Sequence, residues 1–167
     1  MGARKLITAF DEALLRQAFG CFPSGVTALC GTLGGEPAGM TASSFTSVSL
    51  DPPLVSVCVA RTSSTWRRMA ALPSVGLSVL ASDHGGVARA LAARGTDRFA
   101  GVDWTRSASG AVFVPGATLW LECSPHRTFE AGDHDIVVLR VEALLMDADV
   151  EPIVFHRSAF REIAPCG

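Results

Sequence analysis

The sequence predicts a mainly β domain: an antiparallel barrel with a few short helices. Three observations carry that prediction. Residues 26–60 and 118–146 break into short runs rich in Val, Leu, Thr and Ser, separated by Gly and Pro turns, which is the punctuation of successive strands. No regular strand-helix-strand alternation of the kind that winds a parallel sheet runs through the chain. The 167 residues are 49% apolar and 18% charged, which is enough core-forming material for one domain spanning 1–167.

The elements follow in order. Phe10, Ala13, Leu14, Ala18 and Phe22 recur at helical spacing, with Asp11 and Glu12 where a helix dipole favours them, and Pro23-Ser24-Gly25 ends that helix. Strands are expected over 26–33, 38–48 and 54–60, parted by Gly34-Gly35-Glu36-Pro37 and Asp51-Pro52-Pro53. Residues 63–72 read as a short helix with Trp66 and Met69 on one face, and 75–80 as the next strand. Asp83 is expected to cap a helix that Gly95 stops. Residues 103–115 read as a loop. Two longer strands, 118–129 and 135–146, flank a turn over 130–134, and 153–155 closes the sheet.

Charge and composition exclude several classes of function. The 14 basic and 16 acidic residues give a net charge of −2 with no block of either sign, so nucleic-acid binding is not expected. No apolar run has the length of a signal peptide or a membrane span, and a cytoplasmic location is expected. Cys21, Cys30, Cys58, Cys123 and Cys166 form no Cys-x-x-Cys pair and read as core thiols, with Cys166 a loose terminal one. His84, His126, His134 and His156 are too scattered to mark a metal site. There is no Gly-x-Gly-x-x-Gly and no Gly-Lys-Ser/Thr loop, so a bound nucleotide must be held in another way.

Three segments stand out chemically. In Thr41-Ala42-Ser43-Ser44-Phe45-Thr46-Ser47-Val48-Ser49, six of nine residues carry a hydroxyl. Such a strand either lines a polar ligand with hydrogen-bond donors or is a plain solvated edge strand. Arg61-Thr62-Ser63-Ser64-Thr65 sits where a strand passes into a helix, so its hydroxyls, free N–H groups and guanidinium suit a phosphate, although Ser or Thr there also serves as a simple cap. Gly132-Asp133-His134 forms a tight turn whose histidine is either solvated or turned to a ligand.

Phe22-Pro23-Ser24-Gly25-Val26-Thr27, the long run from Gly39 through Leu54, Asp97-Arg98-Phe99-Ala100-Gly101 and Gly132-Asp133-His134 give the chain a resemblance that extends nearly end to end. It resembles the flavin reductases built on the FMN-binding split barrel, the reductase halves of two-component flavin-dependent monooxygenases. The resemblance implies a split β-barrel and a homodimer with flavin near the subunit interface. The ring would lie against Thr41, Ala42, Ser43 and Ser44 and the phosphate near Arg61, Ser63, Ser64 and Thr65, with Ser49, Arg98 and Phe99 close by. His134 matches the family's turn histidine beside the nicotinamide. The implied reaction is hydride transfer from NADH or NADPH to FMN or FAD, with the reduced flavin supplied to a partner monooxygenase. A flavin-binding storage or electron-relay protein is the alternative, and an oxidase of the pyridoxamine-phosphate type shares the barrel. One departure is Leu139-Arg140, where the family often carries a glycine and an acidic residue; leucine there removes the close backbone approach that glycine allows.

Overall fold

A computed structural model describes residues 6–164, and Cys166 lies outside the described residues. Helix α1 (Glu12–Phe19) is followed by β1 (Ser24–Gly25), β2 (Thr27–Leu33), β3 (Glu36–Ala42), β4 (Thr46–Leu50) and β5 (Pro53–Ala60). Next come α2 (Ser64–Met69), β6 (Val75–Val79), α3 (Gly85–Ala92), β7 (Thr105–Arg106) and β8 (Val112–Phe113). The long pair β9 (Leu119–Ala131) and β10 (His134–Met146) precedes the short β11 (Val154–His156) and β12 (Ala159–Arg161). No described helix is long and apolar enough to cross a membrane.

Seven strands form one antiparallel sheet in the order β3-β2-β6-β9-β10-β5-β4. Its two edges, β3 and β4, are consecutive in sequence and joined only by residues 43–45. The four Cα steps from Ala42 to Thr46 reach about 14 Å at full extension. A flat seven-stranded sheet would set its edge strands about 29 Å apart. The sheet must therefore curl until its edges meet, and the result is a split barrel in which no ladder joins β3 to β4 among the described residues.

Ser44 secures the crossing. Its hydroxyl accepts from the Cys58 N–H at 2.8 Å and donates to the Cys58 carbonyl at 3.1 Å, standing in for the strand partner that β5 lacks there. This is why the single strand expected over 38–48 is two strands. The chain leaves β3 at Ser43, and its next backbone pairing is made by β4 on the other edge.

The core has two parts. Leu29, Val57, Leu77, Leu121, Val137 and Leu139 fill the barrel together with Trp66 and Met69 of α2. On the other face of β2, Ala28 and Cys30 pack with Leu80, Ala88, Leu91 and Ile153, which holds α3 against the sheet. Both faces of β2 are thus covered, so its burial does not alternate. Gly39 lets β3 lie tight on β2, because a Cβ there would strike the Cys30 sulfur. Leu139 is fully buried in the barrel while Arg140 is exposed, so the departure from the family pattern is filled by core packing and lies away from the split.

Several expectations are corrected. The first helix is α1, shorter than 10–22; Asp11 caps it by accepting from the Leu14 N–H at 2.8 Å, and none of its residues is buried. Asp83 caps nothing: His84 occupies the cap position of α3, and its Nδ1 accepts from the Ala81 N–H at 3.2 Å. The loop over 103–115 contains the β7–β8 hairpin. The turn over 130–134 tightens to Gly132-Asp133, where Gly132 takes φ +65. Cys30 and Cys123 are buried, but Cys21 and Cys58 are exposed rather than core thiols.

Ser44→Ala removes both bonds to Cys58, and the expected loss is about 1–2 kcal/mol of unfolding free energy. Ser43→Ala, whose hydroxyl bonds nothing in the fold, should change stability by less than ~0.5 kcal/mol. Urea titration of the two variants checks the contrast; equal losses would remove the special role of Ser44.

Candidate functional site

The last residues of β3 divide their work by strand parity. Ala42 turns inward, 7% exposed, and its carbonyl accepts from the Thr27 hydroxyl at 2.8 Å. Thr41 and Ser43 point the other way, and neither hydroxyl makes a hydrogen bond among the described residues. They border a cavity of about 470 Å³ between β3, α3 and the β11–β12 hairpin, walled by Val26, Ala88, Phe155 and Phe160. The hairpin turns at Arg157 and Ser158, two non-glycine residues at φ 50 and φ 60.

A second cavity of about 560 Å³ adjoins the first, and Thr41 and Ala92 line both. Its walls are polar: Thr62, Ser63, Ser64 and Thr65 from the β5–α2 junction face Arg94 and Arg98 beyond α3. Ser63 caps α2 by accepting from the Trp66 N–H at 3.2 Å. Thr65 accepts from Arg98 Nη1 at 3.0 Å. The hydroxyls of Thr62 and Ser64 form no hydrogen bond among the described residues, so they are available to a ligand. Arg98 also donates to the Gly39 carbonyl at 2.9 Å and to the Ala93 carbonyl at 2.7 Å, which ties the segment after α3 to β3 and α2. Its guanidinium is engaged in building the wall.

The site residues expected from sequence therefore fall into groups. Thr41, Ser43, Ser63, Ser64, Thr65 and Arg98 are brought together around the two cavities. Phe99 packs on the core beneath α3 and borders a smaller cavity of about 260 Å³ that shares Ser64, Thr65 and Arg98 with the polar one. Ala42 faces the core, and Ser44 is consumed by Cys58. Ser49 sits on β4 opposite Leu54, past a bulge, and lines none of these cavities. Arg61 turns away from the polar cavity, its guanidinium 3.3 Å from Glu130 and 3.8 Å from Asp135.

His134 opens β10 directly across the ladder from Ala60, which does line the polar cavity. Its side chain is half-exposed, with Nδ1 2.8 Å from the Asp133 carboxylate. The hydrogen bond and charge of His134 hold the Asp133 carboxyl below its ordinary value. The Arg61 N–H donates to the Asp133 carbonyl at 3.0 Å, so the tip of the β9–β10 hairpin is fastened to the mouth of the cavity. Sequence reasoning missed Arg94 and the Phe155/Phe160 wall. Arg94 lies in no motif, and its one signal is a position four residues before Arg98 in a segment rich in small residues.

An apolar slot beside a hydroxyl-lined cavity suits a flat ring that carries a phosphate: the slot shields the faces of the ring, and Thr62, Ser64 and Arg94 offer donors to an anion. Among the described residues no cluster of three His, Cys, Asp or Glu side chains could hold a metal ion.

Comparison with known proteins places the chain in a family. The flavin reductase like domain family matches residues 19–164. An NADH-dependent FAD reductase of Streptomyces globisporus is 42% identical over 167 residues, covering 96% of this chain and 91% of that protein. The reductase subunit of a flavin-dependent monooxygenase of Rhodococcus jostii is 32% identical over 157 residues, covering 94% and 80%. The crystal structure of a Streptomyces globisporus NADH:FAD oxidoreductase, in complex with NAD and FAD fragments, superposes with a TM-score of 0.90 at 42% identity, covering 97% of this chain and 98% of that one. With the match running across both cavities and every strand of the barrel, the chain belongs to the flavin reductase like domain family.

Proposed function

We propose that this chain is an NAD(P)H-dependent flavin reductase: it brings NADH or NADPH together with FMN or FAD and delivers the reduced flavin to a flavin-dependent monooxygenase. The observation that carries the reading is the joining of an apolar slot to a hydroxyl- and arginine-lined cavity at Thr41 and Ala92. Bound there, the flavin supplies the acceptor for a hydride from the nicotinamide. The protein's own share is placement. Thr41 and Ser43 would offer donors to a ring held in the slot walled by Val26, Ala88 and Phe155, and Thr62, Ser64 and Arg94 would hold the phosphate. Holding two reactants in contact geometry supplies a large part of the rate gain in such a transfer. His134 stands on the strand beside the polar cavity, where the nicotinamide nucleotide would approach.

The same reading makes the chain a single domain that works in the cytoplasm as a homodimer. Support for the dimer comes from large apolar side chains at the surface, among them Leu50 at 95% exposed and the consecutive Leu144, Leu145 and Met146. A protomer burying these against its copy would match the interfaces of obligate dimers.

Mixing the protein with NADH and either FMN or FAD should give flavin-dependent loss of the nicotinamide absorbance. Flavin binding without that loss would leave a storage or electron-relay protein instead. Arg94→Ala should weaken FMN binding by ~10-fold and leave riboflavin, which has no phosphate, within ~2-fold of the wild type. His134→Gln should raise the KM for NADH by ~10-fold with the Kd for FMN unchanged, read from steady-state kinetics beside a flavin titration. An unchanged KM would remove His134 from the nicotinamide site.

A further inference from the structure

One cation at the site is unassigned by the functional reading. Arg89, on the last turn of α3, is among the described residues the only ionic one lining the apolar slot. It forms no ion pair and no hydrogen bond among the described residues. What fixes it is aromatic: its guanidinium carbon lies 5.5 Å from the centroid of Phe160, which walls the slot. Gly85, one turn earlier on the helix, lies beside the pair, its Cβ position within ordinary contact of the Phe160 ring and of Arg89 Nη2. The side chain is exposed, and the Phe160 ring is the seat it rests on.

The charges around the site are one-sided. Arg89, Arg94 and Arg98 line the two cavities, and among the described residues no Asp or Glu does. Arg98 is spent on Gly39, Thr65 and Ala93. Arg94 borders the polar cavity only, and Arg89 the slot only. The positive charge facing the ring compartment is thus Arg89, anchored without being neutralised.

We propose that Arg89 is a charge-stabilising residue for reduced flavin: its guanidinium, held over Phe160, favours the anionic two-electron-reduced ring over the neutral oxidised ring in the slot. The inference rests on the flavin reading of the cleft and adds to it which residue distinguishes the two redox states. Oxidised isoalloxazine is neutral, whereas the reduced form carries a negative charge at neutral pH, and a cation beside the ring acts on that difference. Arg89 makes and breaks no bond in this role. Its effect is a difference in affinity between two states of one ligand.

The test is binding rather than turnover. Wild type, Arg89→Gln, Arg89→Lys and Phe160→Leu are titrated anaerobically with riboflavin and with FMN, each oxidised or reduced by dithionite. Wild type should bind reduced riboflavin at least ~10-fold more tightly than oxidised. Arg89→Gln should bring that ratio close to one with less than ~3-fold change for the oxidised form, and Arg89→Lys should retain part of it. Phe160→Leu keeps the charge but removes its seat, and should lower the ratio partway. A ratio unchanged in Arg89→Gln overturns the proposal. So does a loss seen with FMN and absent with riboflavin, which would make Arg89 a phosphate ligand. If the wild type binds neither flavin in either state, the flavin reading falls together with this one; if it binds both states equally, only this one falls.

Discussion

A tether of three residues governs this molecule. Because residues 43–45 must carry the chain from one edge of a seven-stranded sheet to the other, the sheet has no flat solution, and curling brings β3 beside the end of β5. The seam is closed by a side chain, with Ser44 satisfying the N–H and C=O of Cys58 in place of a backbone neighbour. The backbone thereby stays splayed on either side of Ser44. That opening is where Thr41 and Ser43 present unpaired hydroxyls to the cleft, so the device that closes the barrel also makes the binding edge.

Around that edge the wall is built by cross-bracing. Arg98 connects three separate segments through its hydrogen bonds, and Arg61 joins β5 to the β9–β10 hairpin through Glu130, Asp135 and the Asp133 carbonyl. Each guanidinium used as a brace is unavailable as a free ligand. The two arginines left unbraced, Arg89 and Arg94, then divide the cleft between its apolar and polar halves. A ligand with one flat apolar part and one anionic part meets a different arginine at each.

Much of this was legible in the residues. Turn chemistry and β-rich runs located five strands of the main sheet and merged the other two, β3 and β4, into one, while the hydroxyl-rich run together with the Ser-Ser-Thr helix start located both halves of the cleft. Which of those hydroxyls are free was not legible. Ser43 and Ser44 are chemically identical neighbours, and only strand parity and the arrival of Cys58 fourteen residues later separate a ligand-facing group from a structural one. Arg61 misleads for a similar reason. Its backbone stands at the mouth of the cavity, but the carboxylates that claim its side chain are about seventy residues away in sequence. The helical spacing at the start of the chain was real, yet α1 buries none of its residues, because periodicity reports an amphipathic face and does not say whether anything covers it.

The buried thiols bear on how such a protein endures its own chemistry. Burial pushes Cys30 up to about 12, and burial, with the charges of Glu142 and Glu122, pushes Cys123 equally high. At neutral pH both positions therefore favour the thiol, and the thiolate is the form that peroxide attacks. Free reduced flavin generates peroxide whenever it meets oxygen. Cys30 lies against Gly39, whose carbonyl anchors Arg98, so a sulfur swollen by added oxygen atoms would lever the cleft wall apart from behind. Keeping that sulfur protonated and dry spares the cleft wall from peroxide of the kind that reduced flavin releases in oxygen.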